Sequence, residues 1–150
     1  MKKDYPATGR NKDAILPVLK RVLPKDGVIL EIASGTGQHA VFFAQEMNTI
    51  RWQPSDGDPE MLASIRAWRD EAGLSNLPEP LALDVLGDWP ISQADGIFNA
   101  NMIHISPWAC TEALMRGSRR ILGRGAPLCL YGPFTVGGTH TSPSNASFDE

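Results

Sequence analysis

Short apolar runs alternate with amphipathic stretches along most of this 150-residue chain. Five runs are apolar enough to form buried strands: residues 28–32, 50–55, 81–85, 94–103 and 126–131. Three stretches space their apolar residues three and four positions apart, as helices with one buried face do: residues 38–47, 59–72 and 107–122. A further helix, capped by Asn11 or Asp13, is predicted to end near Leu23. This alternation predicts an α/β fold with a parallel sheet and helices on both faces.

The C-terminal stretch breaks this alternation. Residues 137–147 are small and polar and include no apolar run that could join a core. We therefore expect one domain over residues 1–136, followed by a polar loop or tail over residues 137–150.

Composition narrows the class of protein. The net charge is −3 and no basic run is present, which disfavours a nucleic-acid-binding surface. No apolar run approaches the ~18 residues of a membrane span, and the N-terminus lacks the apolar stretch of a signal peptide. Cys110 and Cys129 are interpreted as buried free thiols in a reducing compartment, with a disulfide or metal pair as the minor alternative. These features predict a cytoplasmic protein without a bound metal.

A small-residue loop follows the first predicted strand and leads directly into a helix. This strand–loop–helix order is typical of a nucleotide-type cofactor site. Gly35 and Gly37 allow positive φ angles and a close approach of the backbone to a ligand. The alternative is a glycine-rich turn that holds no ligand.

Two cofactor classes can use such a loop. Residues 35–40 fit the dinucleotide fingerprint G-x-G-x-x-G/A, and Asp56 lies where a ribose-binding acid belongs. The loop also resembles the E/D-x-G-x-G-x-G pattern of class I S-adenosylmethionine methyltransferases, beginning at Glu31 and with Ala33 in the first glycine place. A carboxylate at Glu31 suits a cationic sulfonium but would repel a diphosphate by ~1–4 kcal/mol at close range. No Lys or Arg lies between Leu30 and Ile50 to offset this repulsion.

Further acids are predicted at the ends of neighbouring strands, where ligands of open α/β sheets bind. Asp56 ends the second strand and is a candidate for both ribose hydroxyls; capping of the next helix is assigned mainly to Asp58. Asp84 ends the third strand and would accept from an adenine amino group, with the Val85 N–H beside it. The alternative for Asp84 is an ordinary turn acid.

The fourth strand ends in polar residues whose roles are open. Asn101 and Met102 either line the cofactor pocket or pack at the strand end. His104 is either a general base or a hydrogen-bonded structural residue. His39, in the first turn of a helix, is expected to be neutral and either to pack or to form hydrogen bonds. No catalytic residue is assigned.

Several segments together resemble class I S-adenosylmethionine-dependent methyltransferases, and within them the methyltransferase-like 26 group, a domain of unknown function. The resemblance rests on residues 7–12, 30–39, 52–56, 64–68, 99–108 and 130–134. It implies a cofactor site at Gly35, Gly37, Asp56 and Asp84. Charge and position further suggest that Arg10 and Asn11 form a lid in which Arg10 pairs with the methionine carboxylate. The candidate S-adenosylmethionine site combines residues at the strand ends with residues of the segments that carry the resemblance. It consists of Arg10, Asn11, Glu31, Ala33, Gly35, Thr36, Gly37, Asp56, Asp84, Val85 and Asn101.

The resemblance also implies a Rossmann-like three-layer sandwich with about five strands in the order 3-2-1-4-5. Family members usually continue beyond residue 145 with further helix and a final strand pair, which are expected to be absent here. The fifth strand is then expected to form an exposed edge, which a truncated chain would leave open and a homodimer would cover.

The resulting functional hypothesis is an S-adenosylmethionine-dependent methyltransferase that acts on a small molecule, without nucleic-acid or membrane partners. One alternative is a non-catalytic module that binds a cofactor or a partner. A second alternative is a fragment of an NAD-dependent oxidoreductase.

Overall fold

The computed structural model describes the backbone of residues 6–100, 108–131, 134–136, 139–141 and 144–147, and the side chains of residues 13–100 and 109–131. Within these ranges the helices are α1 (Pro6–Val22), α2 (Gln38–Glu46), α3 (Pro59–Ala72) and α4 (Trp108–Ile121). The first strands are β1 (Gly27–Ile32), β2 (Ile50–Gln53), β3 (Ser55–Asp56), β4 (Leu81–Ala82) and β5 (Gly96–Ala100). The later strands are β6 (Pro127–Tyr131), β7 (Phe134–Val136), β8 (Thr139–Thr141) and β9 (Ser144–Ser147).

The central sheet has the order β2-β1-β5-β6-β9, and all neighbours are parallel except β6 and β9. The single strand predicted over residues 50–55 is divided at Pro54, because proline has no N–H to donate to a ladder. After this break β3 continues and pairs in parallel with β4. The predicted strand order 3-2-1-4-5 and the α/β class are therefore confirmed.

Successive strand residues face opposite sides of the sheet and build two cores. One core lies under α1 and α2 and includes Ile15, Leu19, Phe43, Trp52 and Phe98. The other lies under α4 and includes Leu30, Ile97, Leu114, Ile121 and Leu128. Helix α3 packs beside α2 and against β3 and β4. The predicted placement of helices on both faces is confirmed.

Helix α3 has the ends that its sequence predicts. Asp58 is the N-cap and accepts a hydrogen bond from Glu60 N at 2.9 Å, and Pro59 follows it. Gly73 ends the helix in the left-handed conformation with φ 64°. The capping role assigned to Asp58 is confirmed.

Helix α1 differs from its prediction at the N-terminus. It begins at Pro6, so a cap at Asn11 or Asp13 is wrong, and Pro17 lies inside the helix. Proline at the first helical position needs no N–H donor there, which accounts for a start earlier than the apolar stripe indicates. Among the described residues, no helix combines the length and apolar character needed to cross a bilayer.

The C-terminal segment also differs from expectation. Strands β7 and β8 form an antiparallel hairpin, and β9 pairs antiparallel with β6. The predicted loop is therefore wrong for residues 139–141 and 144–147, because edge pairing uses backbone groups and needs no apolar side chain. The predicted exposed edge at β6 is likewise wrong, since β9 occupies it; self-association there stays a prediction. Residues 137–138, 142–143 and 148–150 of the predicted tail lie outside the described residues.

Candidate functional site

The loop after β1 adopts left-handed backbone geometry three times. The φ angles are 55° at Ala33, 65° at Gly35 and 103° at Gly37. At Ala33 this conformation is strained by roughly 1–2 kcal/mol, because its Cβ crowds the following carbonyl. A Cβ at Gly37 would also lie 3.0 Å from Ile65 Cα, whereas one at Gly35 would meet no atom within 4 Å. Gly37 is thus required by packing, and Gly35 leaves open space beside the loop.

Serine side chains join this loop to β3. Ser34 N donates to Ser55 O at 2.7 Å, and Ser55 N donates back to Ser34 Oγ at 2.9 Å. Ser64 Oγ, on α3, donates to Thr36 O at 2.7 Å in a buried position. The loop is therefore held in its strained shape by neighbouring elements before any ligand binds, which favours pre-organised binding.

Asp56 lies at the end of β3 and bonds to the same loop. Its Oδ2 accepts from Gly35 N and its Oδ1 accepts from Asp58 N, both at 2.9 Å. Burial raises the pKa of Asp56 above its ordinary value, while the N–H donors of Asp58 and Gly35 oppose the shift. Each oxygen keeps a second lone pair, so a role toward ribose stays a prediction. The sequence did not reveal this bond between Asp56 and the glycine loop.

Glu31 lies below the loop with 1% of its surface exposed. Its Oε1 accepts a hydrogen bond from Trp52 Nε1 at 3.0 Å. Burial raises the pKa of Glu31 from its ordinary value of 4.5 to about 7, and the indole donor only partly opposes this. Glu31 is therefore only partly ionised at neutral pH, so the electrostatic argument against a diphosphate is weaker than the sequence indicated. Direct contact of Glu31 with a cofactor stays a prediction.

A cleft of about 170 Å³ opens beside the loop. Its lining comes from the ends of β1, β3 and β4 and from α4: Ile32, Ala33, Gly57, Leu83, Asp84, Val85 and Cys110. Asp84 is exposed, and its Oδ1 accepts from Leu86 N at 3.0 Å. Asp84 O accepts from Gly87 N at 2.8 Å, so Asp84 also stabilises a turn. The predicted residues Ala33, Asp84 and Val85 thus meet at one cleft, joined by the unpredicted Cys110.

Larger clefts of about 220 and 460 Å³ lie at the opposite edge of the sheet. They are lined mainly by the turns that precede β1, β2 and β6. Parallel α/β sheets bind ligands at the carboxyl ends of their strands, so the smaller cleft is the better candidate despite its size.

Other predicted residues are placed only in part. Arg10 and Asn11 belong to α1, but their side chains lie outside the described residues, as do Asn101, Met102 and His104 entirely. His39 is buried, with its ring centroid 5.3 Å from that of Phe43, so its predicted packing role is confirmed. Cys110 and Cys129 are free thiols, as predicted, but only Cys129 is buried, and Cys110 is half-buried.

A family model described as "Protein of unknown function (DUF938)" matches residues 2–150. The methyltransferase SibL, solved in its apo form, is 22% identical with a TM-score of 0.74 over 89% of this chain. Coclaurine N-methyltransferase bound to N-methylheliamine and SAH is 16% identical, with a TM-score of 0.67 over 87% of this chain. PKMT2 from Rickettsia typhi, in complex with AdoHcy, is 16% identical, with a TM-score of 0.64 over 84% of this chain.

The aligned regions are a minor part of these solved proteins. They cover 39% of SibL, 38% of coclaurine N-methyltransferase and 24% of PKMT2. At these identities the likeness establishes the fold, which is the Rossmann-like fold of S-adenosylmethionine-dependent methyltransferases. The resemblance identified from the sequence motifs is therefore confirmed.

Proposed function

Because this chain belongs to the DUF938 family and has the methyltransferase fold, we propose that it binds S-adenosylmethionine. One observation carries the proposal: a left-handed glycine loop, bonded through Gly35 N to Asp56, stands beside the cleft that Asp84 lines. The cofactor combines a flat purine, a ribose diol and a cationic sulfonium. The apolar walls formed by Ile32, Leu83 and Val85 suit the purine.

The charges around the loop favour this cofactor over a dinucleotide. In the loop and the cleft lining, the described residues include no Lys or Arg, whereas Asp56 and Asp84 are both acceptors. Diphosphate groups need donors or positive charge, and carboxylates beside them are repulsive. Hydroxyl and amino groups of an adenosine instead donate to carboxylates, which fits both acids.

We assign the residues as follows when S-adenosylmethionine is bound. The backbone of residues 33–37 approaches the amino-acid end, Asp56 accepts from ribose, and Asp84 with Val85 N–H binds adenine. Glu31 and Thr36 support the loop from below, and Arg10, Asn11 and Asn101 complete the enclosure.

The bound cofactor supplies an electrophilic methyl group on its sulfonium. The protein's contribution to transfer is to hold a small acceptor in line with that methyl, since positioning supplies much of such catalysis.

Cys110 offers a direct test of cofactor binding. It lines the cleft and is half-buried, whereas Cys129 is only 3% exposed. A thiol reagent is expected to label Cys110 first, and saturating S-adenosylhomocysteine should slow that reaction at least about tenfold by covering the cleft. NAD at the same concentration should not protect, and Cys110→Ser should abolish the fast phase.

Calorimetry completes this test. Heat with S-adenosylhomocysteine and none with NAD supports the proposal, whereas heat with NAD alone overturns it in favour of the oxidoreductase fragment. A screen with radiolabelled S-adenosylmethionine against small acceptors then tests transfer. Binding without transfer to any acceptor class would favour the non-catalytic module.

A further inference from the structure

A buried tryptophan forms a hydrogen bond to the turn after β4. Trp89 follows Asp84 by five residues along the chain, and its ring is only 8% exposed. Its Nε1 donates to Val85 O at 3.2 Å in a buried position. Asp84 and Val85 line the candidate cleft, so Trp89 bonds directly to a residue of the cleft lining.

Helix α4 holds the tryptophan ring in place. A Cβ at Gly117 would lie 2.2 to 2.5 Å from three atoms of the Trp89 ring, so only glycine permits this contact. The Arg120 guanidinium, three residues further along the same helix, lies over the ring at 5.6 Å from its centroid. The same helix contributes Cys110 to the cleft. The same helix therefore both contacts Trp89 and contributes to the lining of the cleft.

We propose that Trp89 is a positioning residue for purine recognition, which rests on the proposed function. By fixing Val85 against α4, it fixes where the Asp84 carboxylate and the Val85 N–H meet a purine edge. An adenine presents an amino donor and a ring-nitrogen acceptor to this pair, whereas a hypoxanthine presents a carbonyl acceptor and an N–H donor. A rigid acceptor–donor pair accepts the first pattern and rejects the second, because the wrong base leaves polar groups unpaired.

Selectivity between two ligands tests this role. Calorimetry would compare S-adenosylhomocysteine with S-inosylhomocysteine, its 6-oxo analogue, on the wild-type chain and on Trp89→Phe. Phenylalanine keeps an aromatic ring at this position but cannot donate to Val85 O. We expect the preference of the wild type for the adenine ligand to fall about tenfold in Trp89→Phe, mainly through weaker adenine binding.

Two further variants separate positioning from stability. Trp52→Phe also removes one buried indole hydrogen bond, but on the opposite face of the sheet, and should leave the preference unchanged while lowering the melting temperature. Gly117→Ala displaces the Trp89 ring and should reduce the preference at least as much as Trp89→Phe. If Gly117→Ala does not fold, Trp89→Phe still decides the matter.

The outcomes are distinct. A preference in Trp89→Phe equal to that of the wild type overturns this inference while leaving the proposed function standing. An equal loss in Trp52→Phe also overturns it, because the effect would then follow from stability alone. A wild-type chain that binds neither ligand overturns the proposed function itself.

Discussion

The two faces of the central sheet are built from different side chains. Under α1 and α2 the rings of Phe43, Trp52 and Phe98 pack with centroids 5.2 to 5.8 Å apart, and the Glu31 carboxyl is buried there. Under α4 the apolar strand residues of the core are aliphatic, and the buried ring of Trp89 bonds to a backbone carbonyl. One face thus holds a titratable group, and the other shapes the wall of the cleft.

The difference shows how a buried acid is accommodated. A carboxyl far from water needs a donor, and on the aromatic face Trp52 supplies one through its indole N–H. Burial raises the pKa of Glu31, so this bond, together with the interaction with the Ser34 side chain, does not offset the loss of hydration. The aliphatic face needs no such compensation, so its tryptophan is available to support the turn at Asp84 and Val85.

The largest expected effect comes from removing the centre of the aromatic face. Phe98→Ala would delete the ring that contacts both Phe43 and Trp52, and should reduce the free energy of unfolding by about 3–5 kcal/mol. Leu128→Ala on the aliphatic face should cost about 2–5 kcal/mol and less than Phe98→Ala, because fewer contacts are lost. Urea denaturation of both variants measures the difference. A larger loss of unfolding free energy in Leu128→Ala than in Phe98→Ala would contradict the expectation that the aromatic cluster contributes more to stability.

The next effect concerns the pH dependence of the aromatic face. The folded-state pKa of Glu31 is about 7 against an ordinary value of 4.5, so its contribution to stability is fully present below pH 4.5 and is lost as pH rises to about 7. In the wild type, Glu31 should therefore lower the free energy of unfolding by on the order of 3 kcal/mol across that window, and Glu31→Gln should remove this pH dependence. Denaturation at pH 4.5 and pH 7.5 measures it.

Asp88→Asn is a matched control for the Glu31 variant, because it also replaces a carboxyl group by an amide, but at an exposed site. Its pH dependence should follow that of the wild type. If Glu31→Gln also follows the wild type, the carboxyl is not buried as described.

The smallest effects separate two aspartates at the carboxyl edge. Asp56→Ala removes the acceptor of Gly35 N and should weaken S-adenosylhomocysteine binding by about 1.5–3 kcal/mol, with some loss of stability. Asp58→Ala removes only a helix cap and should cost about 1 kcal/mol of stability without changing affinity. Calorimetry and thermal melting of the pair distinguish these roles. Equal affinities in the two variants would assign Asp56 to structure alone.

Much of the fold follows from local patterns. Apolar periodicity predicts α2, α3 and α4 and the core strands, and Asp58-Pro59 with Gly73 predicts both ends of α3. Such features depend on neighbours a few residues away, so the sequence displays them directly. The position of the glycine loop was predicted for the same reason, whereas the left-handed conformation of Ala33 was not.

The partners of the site residues were not predictable in this way. Glu31 and Trp52 are 21 residues apart in the sequence, as are Gly35 and Asp56. The first pair meets because β1 lies parallel to β2, and the second because the loop that follows β1 lies beside β3. Strand β9 was missed because edge pairing depends on backbone groups rather than on side-chain pattern.

By itself, the sequence determined the order of the helices and core strands as far as β6, the position of the glycine loop and the acids at the strand ends, because each depends on nearby residues. The tertiary structure decided that Glu31 is buried against Trp52, that Asp56 holds the loop, and that Trp89 supports the wall of the cleft. These are contacts between distant segments, whose geometry is set by strand register and helix packing and by no local pattern.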